Sequence, residues 1–407
     1  MHKGPEYGLY LNPKKCVAYS EELTNLDSLD NDIIKDPNGL VLLGAALGNL
    51  SFVQEHADAL VEKAIALLEK IRKLANSQME LVLTRSCASA AKLTYLLRTT
   101  PTHIILDAIR KFDDELSEQL NLIVGVNLPQ DTRKLWALPI TSGGFGFPEC
   151  RDLGPIAFVA SYNSARPIME SIGAQTLNPW LDSVTNISDV DLTNSNDNCQ
   201  KTLKVKLDAI LLERVNLSTS ETRFKALMVN KDGKFASRWL SAIPSKWDNH
   251  AIEHRHFQSL LRFHSGLPFT LSLMKCGICN NLDTDRYGDH AISCPAEGGT
   301  IYRHDSLANA IFTFAKRSGI QAKLEVRNPL GTDKSRPGDV LLREWRNGKP
   351  LFLDVSVVNP LCPTYVKGSL KNPGSARKAR VELKAKKYKE LNINLTPMVV
   401  DIGMWTL

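Results

Sequence analysis

Two aspartates stand where strand geometry would bring their charges together. Arg336-Pro337-Gly338-Asp339-Val340 and Leu353-Asp354-Val355-Ser356-Val357 each read as a strand carrying one acid, and Asn347-Gly348 between them is a two-residue hairpin signal. A hairpin there sets Asp339 beside Asp354. Two oxygen anions that close repel each other unless a hard cation such as Mg²⁺ (or Mn²⁺) sits between them. The chemistry this predicts is metal-dependent phosphodiester cleavage. A buried mid-strand acid such as Asp354 also has a plainer explanation, a salt bridge to a nearby lysine.

Cleavage further asks for an ammonium near the scissile phosphate to stabilise charge in the transition state. Between Lys367 and Lys389 there are nine Lys or Arg residues against the single acid Glu382, an electrostatic footprint for a polyanion. The expected helix 376–391 offers Arg377, Lys378, Arg380, Lys384, Lys386, Lys387 and Lys389. Lys384 and Lys387 share a face, with Tyr388 beside the second. Glu325, on a strand expected at 322–327, supplies a third acid on the same small sheet.

A second cluster is built for a softer ion. Cys276-x2-Cys279-x10-His290-x3-Cys294 gathers three thiolates and one imidazole, a set that closes tetrahedrally on Zn²⁺. With all four positions filled, no coordination site remains for water, so this zinc would hold a fold together and leave catalysis elsewhere. The polar turns at Asn281, Asp283, Asp285 and Asp289 suit a metal loop. The competing explanation is reduced cysteines in a loop with a histidine nearby. The other five cysteines are scattered, and nothing suggests a disulfide scaffold.

These groups need elements to hold them. With 407 residues, 43% of them hydrophobic and 23% charged, the chain has room for two or three folded domains. No run approaches the apolar length of a membrane span, and no signal-peptide pattern follows Met1, so an intracellular protein is expected. Tyr7 to Cys16 reads as a short strand and turn, and Leu40 to Gly44 as a second strand. Helical periodicity covers 52–74, then 79–98 and 103–122, which should form a small bundle. The glycines of Leu138 to Pro148 lack the lysine and spacing of a phosphate cradle and read as a structural loop. Residues 184–199, rich in Asn, Asp, Ser and Thr, read as a flexible loop. Helices at 201–215 and 220–229 and a helical platform from Arg238 to Phe263 follow. A helix at 303–318 with Leu307, Ile311, Phe314 and Ala315 on one apolar face ends at Gly319.

Pro337-Gly338-Asp339 followed by Asp354-Val355-Ser356, on an expected helix, three strands, helix, strand order, is similar to the PD-(D/E)xK nuclease superfamily. More narrowly, residues 266–390 resemble the restriction-like endonuclease of site-specific non-LTR retrotransposons. That resemblance carries a CCHC zinc knuckle just upstream, here Cys276 to Cys294, an Arg-His pair, here Arg303-His304, and a Lys-x-x-Lys-Tyr pattern matched by Lys384 to Tyr388. Ser356 occupies the place where other branches of the superfamily keep their lysine. The catalytic lysine is therefore open between Lys384, Lys387, Lys371 and Lys378. Gly8 to Cys16, Leu42-Leu43-Gly44 and the helices to about 125 resemble the palm edge, primer grip and thumb of a reverse transcriptase. No paired palm aspartates precede them in this chain, which implies a truncated polymerase without DNA synthesis.

The fold class expected is α/β with a mainly helical N-terminal half and a restriction-endonuclease-like C-terminal core behind a small zinc knuckle. The expected parts are a palm-edge and thumb remnant (1–165), a helical connection (166–265), the knuckle (266–300) and the nuclease (301–407). The leading expectation is a retrotransposon-derived DNA endonuclease that nicks one strand. In it Asp339 and Asp354 are Mg²⁺ ligands, Glu325 is a third acid, Lys384 or Lys387 stabilises charge, and Arg303, His304, Arg377, Lys378, Arg380, Lys386 and Tyr388 hold nucleic acid. Its partners would be DNA and the element's own RNA, and the resemblance implies a nuclear location. The alternative is a catalytically inactive nucleic-acid-binding remnant, or a relic that folds poorly without lost domains.

Overall fold

In the computed structural model, the described residues are 5–8, 10–20, 22, 26–173, 190, 199–217, 221–231, 237–247, 250–269, 275–277, 279–280, 286–294, 296–325, 338–389 and 394–401. The expected flexible loop at 184–199 lies outside them except for Val190 and Cys199, as do Arg336, Pro337 and the acidic turn 281–285. The chain divides into two compact units, residues 1–138 with 146–214, and residues 139–145 with 215–407. The knuckle, the nuclease segment and part of the helical connection expected before them thus fall in one unit. Among the described residues no helix is long and apolar enough to cross a membrane.

The first unit is mainly helical. Two short pairs open it: β1 (Val17–Tyr19) runs parallel to β2 (Ile34–Asp36), and β3 (Gly39–Leu42) forms an antiparallel hairpin with β4 (Ala45–Gly48). Among the described residues of the strand and turn expected over Tyr7 to Cys16 there is no strand. Single 3₁₀ turns at Pro5–Tyr7 and Pro13–Lys15 take its place, since proline has no N–H for a ladder. Helix α1 (Leu50–Arg72) starts at Asn49, whose side chain accepts from the Phe52 N–H at 3.0 Å. It buries Val53, Ala57, Val61, Ala64, Leu68 and Ile71, one stripe at helical spacing.

The expected second helix is broken into α2 (Ser77–Cys87), a 3₁₀ turn and α3 (Thr94–Thr99), because Ser89 turns its hydroxyl to the Ala91 N–H and starts a new turn. Next come α4 (Leu106–Val124), α5 (Gln130–Ala137), α6 (Cys150–Ser171) and α7 (Gln200–Leu217). Asp113 on α4 reaches across to the start of α6 and accepts from the Cys150 and Arg151 N–H groups at 2.7 and 3.0 Å. Burial pushes its carboxyl up to about 7 even with these two donors.

The second unit contains α8 (Thr222–Lys231), α9 (His254–Ser265), the short α10 (Asp289–Ser293) and α11 (Gly299–Arg317). These are followed by β5 (Ala322–Leu324), β6 (Val340–Arg346), β7 (Lys349–Val358), α12 (Val366–Ser369), α13 (Ser375–Lys387) and β8 (Leu395–Asp401). The four strands form one sheet in the order β5-β6-β7-β8, antiparallel at the first two pairings and parallel at the last. Asn347 and Gly348 both take positive φ, 53° and 69°, as a tight hairpin matched to sheet twist requires, and Arg346 pairs with Lys349 across it.

Alternation along β7 sends Leu351, Leu353, Val355 and Val357 into a core with Leu307, Ala308 and Ala315 of α11. The other parity, Phe352, Asp354, Ser356 and Val358, is also buried. The apolar face of α11 is rotated from the expected one. Phe314 is 56% exposed, while Phe312 packs against the core and Ala308 lies within it. The molecule is mixed α/β, with a mainly helical first half and a small C-terminal sheet.

Candidate functional site

Asp339 sits one residue before β6 and is drawn onto β7 by its own backbone. Its N–H donates to the Leu353 carbonyl at 2.8 Å, and its Oδ2 accepts from the Val355 N–H at 2.6 Å. Gly338 permits this approach, since a Cβ there would lie 3.1 Å from the Leu353 carbonyl oxygen and 3.2 Å from the Phe352 Cβ. The Asp339 carboxylate therefore lies along the backbone that carries Asp354. Asp354 is 5% exposed. Its Oδ1 is 2.7 Å from Lys384 Nζ, and Lys384 also donates to the Val355 carbonyl at 2.9 Å. Its Oδ2 is buried and, among the described residues, accepts no hydrogen bond.

Burial raises the Asp354 pKa; Lys384 opposes that rise, and the Asp339 charge adds to it. His304 of α11 closes the group, with Nε2 3.1 Å from Asp339 Oδ2 and Nδ1 2.9 Å from Asp305 Oδ1. Burial works against its charge, but Asp305 and Asp339 outweigh that and hold its pKa above the ordinary histidine value. A carboxylate oxygen buried without a donor is costly, and a cation seated on it would remove that cost. Among the described residues Asp339, Asp354 and His304 do not gather into a metal-holding group of three, and the described charged partner of Asp354 is Lys384.

Of the lysines in question, Lys384 alone is paired with an acid of this site. Lys387 lies over the Tyr388 ring, 4.9 Å from its centroid, and reaches Asp354 only as a weaker charge. Lys371, Lys378 and Lys386 are exposed or at the rim of their helix. Arg377 points elsewhere, its Nε 3.1 Å from Asp401 Oδ2 on β8. Burial lifts Asp401 to about 6, with Arg377 opposing. Glu325 follows β5 with φ 47°; its N–H donates to the Asp339 carbonyl at 2.8 Å, and its side chain is exposed. Among the described residues it does not join the two aspartates in a three-ligand group.

The knuckle ligands do converge. The ligand atoms of Cys276, Cys279, His290 and Cys294 all lie within 4.8 Å of one another. Cys276 Sγ is 4.0 Å from Cys294 Sγ, and Cys279 Sγ is 3.2 Å from His290 Nε2. A tetrahedron with Zn–S bonds of about 2.3 Å has edges of about 3.8 Å, so the residues fit zinc. Arg223 of α8 braces this loop. Its Nε and Nη2 pair with Asp289 at 2.5 and 2.8 Å, and its guanidinium lies 4.3 Å from the Tyr287 ring centroid. Asp289 is the neighbour of the ligand His290, so the brace fixes the strand of ligands directly.

Between α10, α11, the end of β7 and α13 opens a cavity of about 400 Å³, lined by Arg303, His304, Ser356, Asn359, Tyr365 and Arg380 among others. Asn359 and Tyr365 had no motif to announce them, and neither did Asp305 or Asp401; Ser356 entered only as the residue at the superfamily's lysine place. No protein-family model and no curated protein matches this chain.

Proposed function

We propose that this protein is a metal-dependent DNA endonuclease that nicks one strand, built on a restriction-endonuclease-like core and derived from a non-LTR retroelement. The observation that carries the reading is Asp354, buried in the central part of β7 with Oδ1 on Lys384, Oδ2 without a donor, and the Asp339 carboxylate beside it. Helix α11, three antiparallel strands, the helical crossover α12–α13 and the parallel strand β8 supply the element order that the resemblance implies.

Asp339 and Asp354 would hold Mg²⁺ or Mn²⁺, which when bound supplies a Lewis acid for the scissile phosphate and lowers the pKa of attacking water. The chain's own groups do the rest. Lys384, held within 2.7 Å of Asp354, is the ammonium nearest the reacting phosphate and stabilises charge that develops on it. The Val355 N–H and His304 Nε2 both reach the Asp339 Oδ2 and fix the carboxylate in its rotamer. Lys378, Lys386 and Arg380 on α13 follow the backbone of the substrate strand. The zinc ligands take no part in the reaction and hold the loop that precedes α11.

A second reading, nucleic-acid binding without cleavage, is favoured by one observation. Both acids already have cationic or N–H partners, so the group is electrically tolerable without a divalent ion. Zinc-loaded full chain incubated with supercoiled plasmid, with and without Mg²⁺ or Mn²⁺ and alongside Asp354→Ala, separates the two. Metal-dependent nicking that Asp354→Ala abolishes is expected. Nicking without metal, or nicking that survives the substitution, refutes the assignment. Intact plasmid with salt-sensitive binding transfers the conclusion to the second reading.

A further inference from the structure

The cavity beside the acid pair has a consistent chemistry. Among the described residues that line it there are two arginines and a histidine and no carboxylate. Arg380, which is exposed, has neither a hydrogen bond nor an ion pair among the described residues. The Ser356 hydroxyl is in the same condition. It is 5% exposed, opens onto the cavity, and has no hydrogen-bond partner among the described residues. The Tyr365 phenol also lacks one. Three polar side chains of different types thus line one concave volume without a described protein partner, and a polar ligand entering it could be met by each of them.

The rest of the wall is fixed in place. Arg303 donates from Nη2 to the Ile292 carbonyl, and Asn359 Nδ2 donates to Ser293 Oγ at 2.9 Å. Ile292 and Ser293 lie between the ligands His290 and Cys294, so one wall of the cavity is part of the zinc knuckle itself. Ile292 is in turn held by the small apolar cluster of Ala226, Leu227, Phe263 and Leu361. The cavity is continuous with the acid pair through two residues. Ser356 is two positions beyond Asp354 on the same face of β7, and His304 lines the cavity while its Nε2 touches Asp339.

We infer that this cavity seats the nucleotide next to the one cleaved, with its phosphodiester group held by Arg380, the Ser356 hydroxyl and the Tyr365 phenol. The inference rests on the endonuclease reading for what happens at Asp354, and adds where the neighbouring part of the strand lies. A volume of about 400 Å³ is of nucleotide size, at the lower end of ordinary ligand pockets. Arginine suits the task because its planar fork meets two phosphate oxygens at once, and hydroxyl donors complete the shell. Because Ile292 and Ser293 form a wall, the knuckle serves the substrate cleft as well as the fold.

The test uses the zinc-loaded full chain and deoxythymidine 3′,5′-bisphosphate as probe, titrated calorimetrically without divalent cation other than the bound zinc. Arg380→Ala is exposed and unpaired, so it leaves folding intact. It is expected to weaken the probe about tenfold, as losing one charge-assisted contact should. Arg380→Lys should fall between, and Tyr365→Phe should weaken it less. Asp354→Asn should leave probe binding unchanged. With plasmid as substrate, Arg380→Ala should raise KM with kcat little changed and reduce the salt slope of binding by about 1.

Absent probe binding in the wild-type chain, or binding that Arg380→Ala leaves intact, overturns the inference. So does binding lost in Asp354→Asn, which would put the probe at the acid pair. Plasmid cleavage fails independently: a chain that binds the probe through Arg380 and does not nick retains the nucleotide seat and loses the endonuclease reading.

Discussion

Replacing Lys384 by methionine tests the central contact of the site without reference to any substrate. Lys384 and Asp354 are 15% and 7% exposed at their side chains, and their 2.7 Å pair is the only charged contact made by the buried carboxylate among the described residues. Methionine keeps the aliphatic stem and removes the ammonium. Asp354 then has two choices, to stay ionised without a partner, at about 3–5 kcal/mol, or to take up a proton. Holding a carboxyl neutral at pH 7, when its unfolded pKa is about 3.9, costs about 4 kcal/mol, which sets the ceiling.

The sign follows from the direction of the shift. Removing Lys384 raises a pKa that burial has already raised, so the native state binds the proton more tightly than the unfolded chain does. Stability is retained below the unfolded pKa and lost as pH rises through the folded one. The destabilisation should therefore be small near pH 4 and grow by up to about 1.4 kcal/mol per pH unit toward neutrality. Asp354→Asn alone leaves the Lys384 ammonium without its carboxylate and should also cost stability, whereas added to Lys384→Met it should recover most of the loss. Native-state hydrogen exchange of the β6 and β7 amides between pH 5 and 8 reads this locally. A pH-independent loss, or a double variant no better than Lys384→Met, would refute the pairing argument.

Four further outcomes follow from the structure. Cys276→Ser should lose the single bound zinc per chain, measured by metal analysis, and lower the melting temperature of the unit that contains the sheet, because knuckle folding and metal binding are one equilibrium. Asp113→Ala should destabilise the first unit by about 2 kcal/mol in urea, since two N–H groups at the start of α6 lose their acceptor. With the native Asp113 carboxyl raised to about 7, wild-type stability of that unit should fall as pH rises from about 4 to 7, a slope that Asp113→Asn should remove. Gly348→Val should cost about 1–2 kcal/mol through its φ of 69°, and is checked by exchange of the hairpin amides.

The parts of the site legible in sequence are those fixed by local rules. Asn347-Gly348 dictates a two-residue turn, and two-residue periodicity then sets the faces of β6 and β7, so the pairing of Asp339 with the Asp354 strand follows from short-range chemistry. The ligand spacing of Cys276 to Cys294 is equally local, and the four ligand atoms converge. What sequence could not show depends on the tertiary path. Which lysine reaches Asp354 is decided by the roll of α13 over β7. The same roll carries Arg377 to Asp401 and so takes it out of the expected set of free cations. On α11 a turn of 100° per residue separates Phe312 from Phe314, and only packing chooses between them. The broken second helix of the first unit reflects Ser89 winning a local competition that helical periodicity does not register.

One detail of the acid pair decides how its two demands coexist. A buried carboxylate must have a partner in the resting protein, yet on the endonuclease proposal it would also have to keep an oxygen available for a cation. Asp354 divides these roles between its oxygens, with Oδ1 on Lys384 and Oδ2 without a donor. Lys384 itself is anchored twice, to Asp354 and to the Val355 carbonyl, so it stays within reach of the site whichever partner it relinquishes. Asp339 shows the same division less completely, since its Oδ2 takes both the Val355 N–H and His304. Backbone and lysine thus hold the two acids in place from one side of each group. That is a sufficient reason for the strand to tolerate two charges where an apolar pair would fold more easily.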